Sequence, residues 1–221
     1  MARLPRVVVP GVPHHVSQQG VRSMAIFRHD GDYRAYVEFM AEESERFGLE
    51  VLAYALLRDH VHLIAVPDDE ASLARAIGGA HRRYTRMRNF DEGVRGYLFQ
   101  GRFSSCALDD RHLIAAARYA ELDPVVSRAA RRAWDYEWSS AAFHTGQRRK
   151  DPLVSDRSLN ELVKGWKDML AEKDEEAEKR LTLCIRTGRP AGSDKFILRM
   201  EKLTGRSLRK GKPGPKPKQQ A

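Results

Sequence analysis

Apolar and polar positions along the chain alternate between a strand-like period of two and a helix-like period near 3.6. His14–His15–Val16–Ser17–Gln18–Gln19 reads as a first strand ended by Gly20, after an extended lead-in over residues 1–13 with three prolines. Tyr36, Phe39, Met40 and Phe47 make the apolar stripe of a first helix capped by Asp30 or Asp32 and stopped by Gly48; Glu38, Glu42, Glu43 and Glu45 form its solvated face. Leu49–Leu57 and His60–Val66 read as two strands of an antiparallel hairpin, joined at Arg58–Asp59. A second helix, with Ser72 as a plausible cap, runs from about Leu73 to Asn89 on Leu73, Ala76, Ile77 and Ala80. Tyr97–Leu108 reads as a further strand, bulged at Gly101, and Asp109 or Asp110 caps a third helix from Arg111 to Leu122, ended by Pro124.

This order gives an α+β fold, an antiparallel sheet with helices on one face. It fills residues 1–150 as one domain. Beyond it, Leu159–Leu170, Glu175–Ile185 and Lys195–Leu203 read as helices of a small C-terminal region, 151–205. The tail, 206–221, has six basic and no acidic residues and reads as a flexible basic arm.

The 221 residues carry a formal net charge of +9, which points to a polyanionic partner, nucleic acid first. No run approaches a transmembrane span and the N-terminus lacks a signal-peptide core; Cys106 and Cys184 stand alone. The expectation is a soluble cytoplasmic protein without a membrane partner. Basic residues cluster at Arg82, Arg83, Arg86 and Arg88 on the second helix, at Arg102, at Arg131 and Arg132, and at Lys212, Lys216 and Lys218 in the tail. All are candidate phosphate contacts; a solvated face and a solubilising tail are the plainer readings.

Within the hairpin, His60 and His62 flank Val61. On a strand they project from one face, about 6.6 Å apart, while Val61, Leu63 and Ala65 face a core. Two neutral imidazoles so placed can hold one divalent ion; two hydrogen-bonded histidines would show the same spacing. His15 can either reach that face or simply hydrogen-bond. Tyr119 and Asp123, four apart, share a helix face off the Leu113–Ala117–Ala120 stripe. Laid across the histidine strand, that helix would assemble a tyrosine, two histidines and a carboxylate, a set suited to attack on a phosphodiester. An aromatic filling a groove and a helix-ending aspartate are the alternatives for Tyr119 and Asp123.

In chain order, His14–His15–Val16, His60–Val61–His62, Leu98–Phe99–Gln100–Gly101–Arg102–Phe103, Ala117–Arg118–Tyr119–Ala120–Glu121–Leu122–Asp123–Pro124 and Trp138–Ser139–Ser140 resemble the single-tyrosine HUH transposases, and most closely the REP-associated tyrosine transposases. The resemblance implies a ferredoxin-like core, His60 and His62 as ligands of Mg²⁺ or Mn²⁺, Tyr119 as nucleophile, and single-stranded or hairpin DNA as substrate. It also implies a monomer, although the wider superfamily includes dimers. Asp123 matches a position that usually carries asparagine. Arg58–Asp59 stands where Pro-Asn is usual, and Gln19 and Val21 where arginine and asparagine are common. A non-cleaving, domesticated hairpin-DNA-binding protein and a metal-dependent hydrolase of small phosphoesters are the competing functions.

Overall fold

The computed structural model describes residues 6–172 and 174–209. Among these, four strands form one antiparallel sheet in the order β2-β3-β1-β4: β1 His14–Gln19, β2 Leu49–Leu56, β3 His60–Pro67 and β4 Ser104–Ala107. The helices are α1 Asp30–Phe47, α2 Ser72–Asp91, α3 Asp110–Val126, α4 Ala141–His144, α5 Trp166–Ala171, α6 Glu175–Thr187 and α7 Asp194–Thr204.

The sheet carries helices on both faces, not one. On the first face Val16, Tyr54, Leu56, Val61, Leu63 and Ala65 pack beneath α1 and α2. On the second, Ala53, Ile64 and Cys106 pack beneath α3, α5 and α6. The reason lies in β3 itself. Its alternate positions Ile64 and Val66 are apolar like Val61, Leu63 and Ala65, and a strand apolar on both sides must be covered on both.

Two further boundaries differ from the sequence reading. The segment before Ser104 is a loop rather than strand, because Gly96 (φ 136°) and Gly101 (φ 62°) adopt positive φ, which breaks an extended ladder. Phe99 still bridges Gly20. The second difference is Pro124, which lies inside α3. In the last turn a proline forfeits one hydrogen bond, and the helix closes past it with Ser127 N–H donating to the Asp123 carbonyl at 2.8 Å.

The C-terminal region is built onto α3. The buried Arg118 donates from Nε to the Met169 carbonyl at 2.8 Å. The fully buried Glu121 accepts from Ser140 Oγ, His144 Nδ1 and Trp166 Nε1, each at 2.6 Å. Those bonds fix the helix that carries Tyr119 and Asp123. Leu208, in the segment read as a free arm, is buried with Val7, Val9, Ile197 and Met200. Lys212, Lys216 and Lys218 lie outside the described residues.

Candidate active site

Period-two alternation places His60 and His62 on the second face, under α3. One ladder position away, β1 sets His15 opposite Ile64 and Gln19 opposite His60. From above, α3 lowers Asp123 onto the pair: its Oδ2 is 2.7 Å from His60 Nε2 and 3.1 Å from His62 Nε2. The potential ligand atoms of His60, His62 and Asp123 all lie within 4.8 Å of one another.

Each imidazole is oriented through its other nitrogen. His60 Nδ1 is 2.6 Å from Asp59 Oδ1, and His62 Nδ1 is 3.0 Å from His15 Nε2. If Nδ1 is the protonated nitrogen of each ring, both Nε2 lone pairs point to one place, the arrangement by which carboxylates and other acceptors orient metal-ligating histidines. Two imidazole nitrogens and one carboxylate oxygen form a donor set suited to a divalent cation, with the carboxylate the harder ligand.

The electrostatics follow from burial and the carboxylates. Burial pulls His60 toward the neutral form, but the hydrogen bonds and charges of Asp123 and Asp59 outweigh it and raise its pKa. For His62 burial prevails over Asp123 and its pKa falls. His15, buried and beside His62, is held well below the ordinary histidine value, so it is neutral. Burial would raise Asp123, yet hydrogen bonds from both histidines hold it well below the usual carboxylate range.

Tyr119, one helical turn before Asp123, stands over the same spot at 38% exposure. Its ring meets the His62 ring edge to face at 5.3 Å and the His15 ring at 6.1 Å. Partial burial and then the Asp123 charge raise its phenol pKa. Tyr84, the other tyrosine on a basic helix, is fully buried and donates its hydroxyl hydrogen to the Ile26 carbonyl at 2.9 Å.

The candidate arginines divide. Arg82, Arg86 and Arg102 line an open groove of about 750 Å³ between α2 and the 92–103 loop. Arg88 does not belong with them: it is buried and holds both oxygens of the buried Asp32 at 2.7 Å, besides pairing with Glu92. Arg83 turns instead to α1, to Glu42 at 2.5 Å and Glu43 at 3.1 Å. Arg131 is exposed and Arg132 pairs with Asp135 at 2.7 Å; neither lines the groove. Asp59 reads from the sequence as a turn residue and as a departure from the usual Pro-Asn, with no role at the site. The one available signal was a carboxylate immediately before a candidate ligand histidine.

Residues 14–122 match the family model described as Transposase IS200 like. This domain belongs to the IS200-like transposases. No curated protein matches the sequence. Among solved structures, the IS200-like domain shares its fold with a REP-associated tyrosine transposase bound to a REP hairpin. That match has 16% identity and a TM-score of 0.53, and covers 72% of this chain and 94% of the other. A provisionally assigned transposase from Deinococcus radiodurans matches at 16% identity over 54% of this chain and 96% of its own, with a TM-score of 0.39. Among the described residues, no helix is long and apolar enough to cross a membrane.

Proposed function

We propose that this IS200-like transposase cuts and rejoins single-stranded DNA at hairpin or palindromic repeats through Tyr119. The observation that carries the reading is that Tyr119 and Asp123, one turn apart on α3, stand directly over His60 and His62. The hairpin carried by the REP-associated structural neighbour supports the same substrate class.

In the proposed step the Tyr119 oxygen attacks the scissile phosphorus. A P–O bond forms, the bond to the 3′ oxygen breaks, and the phenolic proton is given up while the leaving oxygen takes one up. The products are a 5′-phosphotyrosine and a free 3′-hydroxyl. Attack by the 3′-hydroxyl of another strand reverses the step and joins the strands, so no nucleotide cofactor is required. A Mg²⁺ or Mn²⁺ ion held by His60, His62 and Asp123 would polarise the phosphate and offset the charge that develops on it. Asp59 and His15 orient the histidine rings, Glu121 holds α3 in register, and Arg82, Arg86 and Arg102 draw the phosphate backbone into the neighbouring groove. Arg131 and Arg132, outside the groove, and Lys212, Lys216 and Lys218, outside the described residues, are further proposed phosphate contacts.

A monomer is the proposed working unit. A cytoplasmic location is proposed together with that DNA substrate. A second reading, a hairpin-DNA binder that does not cut, is favoured by one feature of the sequence: Asp123 and Arg58–Asp59 depart from the residues usual at these positions in the family it resembles. Incubation with single-stranded repeat oligonucleotides and Mn²⁺, followed by a denaturing gel, separates the two. A covalent protein–DNA band lost in Tyr119→Phe and in chelator supports cutting; salt-sensitive hairpin binding without a band supports the binder.

A further inference from the structure

The groove beside α2 has a composition that phosphate binding alone does not explain. Phe90 at 86% exposure and Tyr97 at 92% present nearly whole aromatic rings to solvent on its rim. Single exposed apolar side chains are ordinary, but two large rings flanking one concavity are a patch. Between them the floor is aromatic as well. The His81 ring stacks on Phe99, 4.0 Å between centroids and 19° between planes. Among the described residues, no aspartate or glutamate lines the groove, and its Arg82, Arg86 and Arg95 form no ion pair.

Unneutralised arginines alternating with open aromatic faces fit one ligand class. Duplex DNA offers phosphates but keeps its base faces stacked inside. A small phosphoester would leave most of a groove of about 750 Å³ unfilled. A single strand offers both phosphates and free base faces.

The position fits as well. Phe99 on the groove floor bridges Gly20, whose N–H donates to the Asp59 carbonyl at 2.8 Å, and Asp59 in turn holds His60. Gln18 lines the groove, while its neighbour Gln19 lies opposite His60 in the ladder. The groove therefore opens at the end of the sheet where the histidine pair begins, with the groove on the first face and the pair on the second.

We propose that this groove is a stacking site for unpaired DNA bases, with Phe90 and Tyr97 as the stacking platforms, and that it holds the single strand leading away from the cleavage site. The proposal deepens the DNA-cutting reading and rests on it for the substrate. The groove's share of binding is sequence-tolerant, because every base has a face to stack.

The test is fluorescence anisotropy of the full chain in chelator, with a labelled oligodeoxythymidine of about 16 nucleotides and an abasic strand of the same length and charge. Wild type is expected to bind the thymidine strand about five- to a hundred-fold more tightly than the abasic one. Phe90→Ala and Tyr97→Ala should each erase much of that preference and leave abasic binding unchanged. Both rings are exposed, so neither change removes core packing. Arg82→Ala should lower both affinities together. Equal binding of the two strands by wild type, or full preference in the Phe90→Ala Tyr97→Ala double variant, would overturn the proposal. The measurement needs neither Tyr119 nor a metal. A covalent adduct without base preference would sink the groove alone, and base preference without an adduct would sink the cutting reading alone.

Discussion

The Asp59 carboxylate lies 2.6 Å from Nδ1 of His60, its neighbour in sequence, and so turns Nε2 of the same ring toward Asp123. A turn residue thereby orients a candidate metal ligand. Partners of this kind are worth about 10–100-fold in metal affinity. Asp59→Ala is expected to weaken Mn²⁺ binding by that factor in isothermal calorimetry, with an unchanged fold by circular dichroism. Unchanged affinity would remove Asp59 from the site.

Glu121 is the second such partner, acting through α3. Replacing it with alanine strips one acceptor from three buried donors, Ser140, His144 and Trp166. The expected loss in urea unfolding is about 3–5 kcal/mol, as when one member of a buried charged network is removed. Trp166→Phe, which leaves the carboxylate two donors, should cost about 1–3 kcal/mol. A loss under about 0.5 kcal/mol for Glu121→Ala, the range of ordinary surface changes, would contradict the network's role.

The arginines make a paired prediction. Arg88→Ala uncovers the buried Asp32 carboxylate and should destabilise by about 3–5 kcal/mol. Arg82→Ala and Arg86→Ala should leave stability within about 0.5 kcal/mol. Each should instead reduce the slope of log affinity for single-stranded DNA against log salt by roughly 0.7. The reverse pattern would mean that the two sets have been assigned the wrong way round.

Two histidines outside the site set the acid limit of the fold. Burial holds His81 down to about 3, with its ring 3.0 Å from the Tyr36 hydroxyl. Burial also holds His14 down to about 4, backbone hydrogen bonds notwithstanding. Both are neutral when folded and take up protons near 6.5 when unfolded. Their contribution is therefore complete above pH 6.5 and is lost as pH falls from there toward about 4, where His14 charges in the fold as well. Each costs about 1.4 kcal/mol per pH unit in that window. Urea midpoints should fall between pH 7 and 4.5, and His81→Phe should make that fall less steep. An unchanged slope in that variant would contradict the assignment.

These partners also mark what could be read from sequence. The period-two run from His60 to Val66 placed both histidines on one face, and the spacing of Tyr119 and Asp123 placed both on one side of α3. Those are local periodicities, and the structure keeps them. Arg88 and Asp32 are 56 residues apart, and Glu121 meets Trp166 across 45. No local pattern encodes such pairings, so Arg88 read as one more surface cation. Cover on both sheet faces was written in the doubly apolar β3, but the β3 run was assigned to a single core. The strand expected from Tyr97 gave way because Gly96 and Gly101 use conformations that the hydrophobic pattern does not register.

The central claim is the bond to Tyr119. A repeat oligonucleotide incubated with the protein and Mn²⁺, digested with trypsin and analysed by mass spectrometry, tests it most directly. The account predicts a peptide joined through the Tyr119 oxygen to the 5′-phosphate of the downstream fragment, with the upstream fragment released bearing a 3′-hydroxyl. DNA joined to any other residue, or cut fragments with no peptide attached, would contradict it.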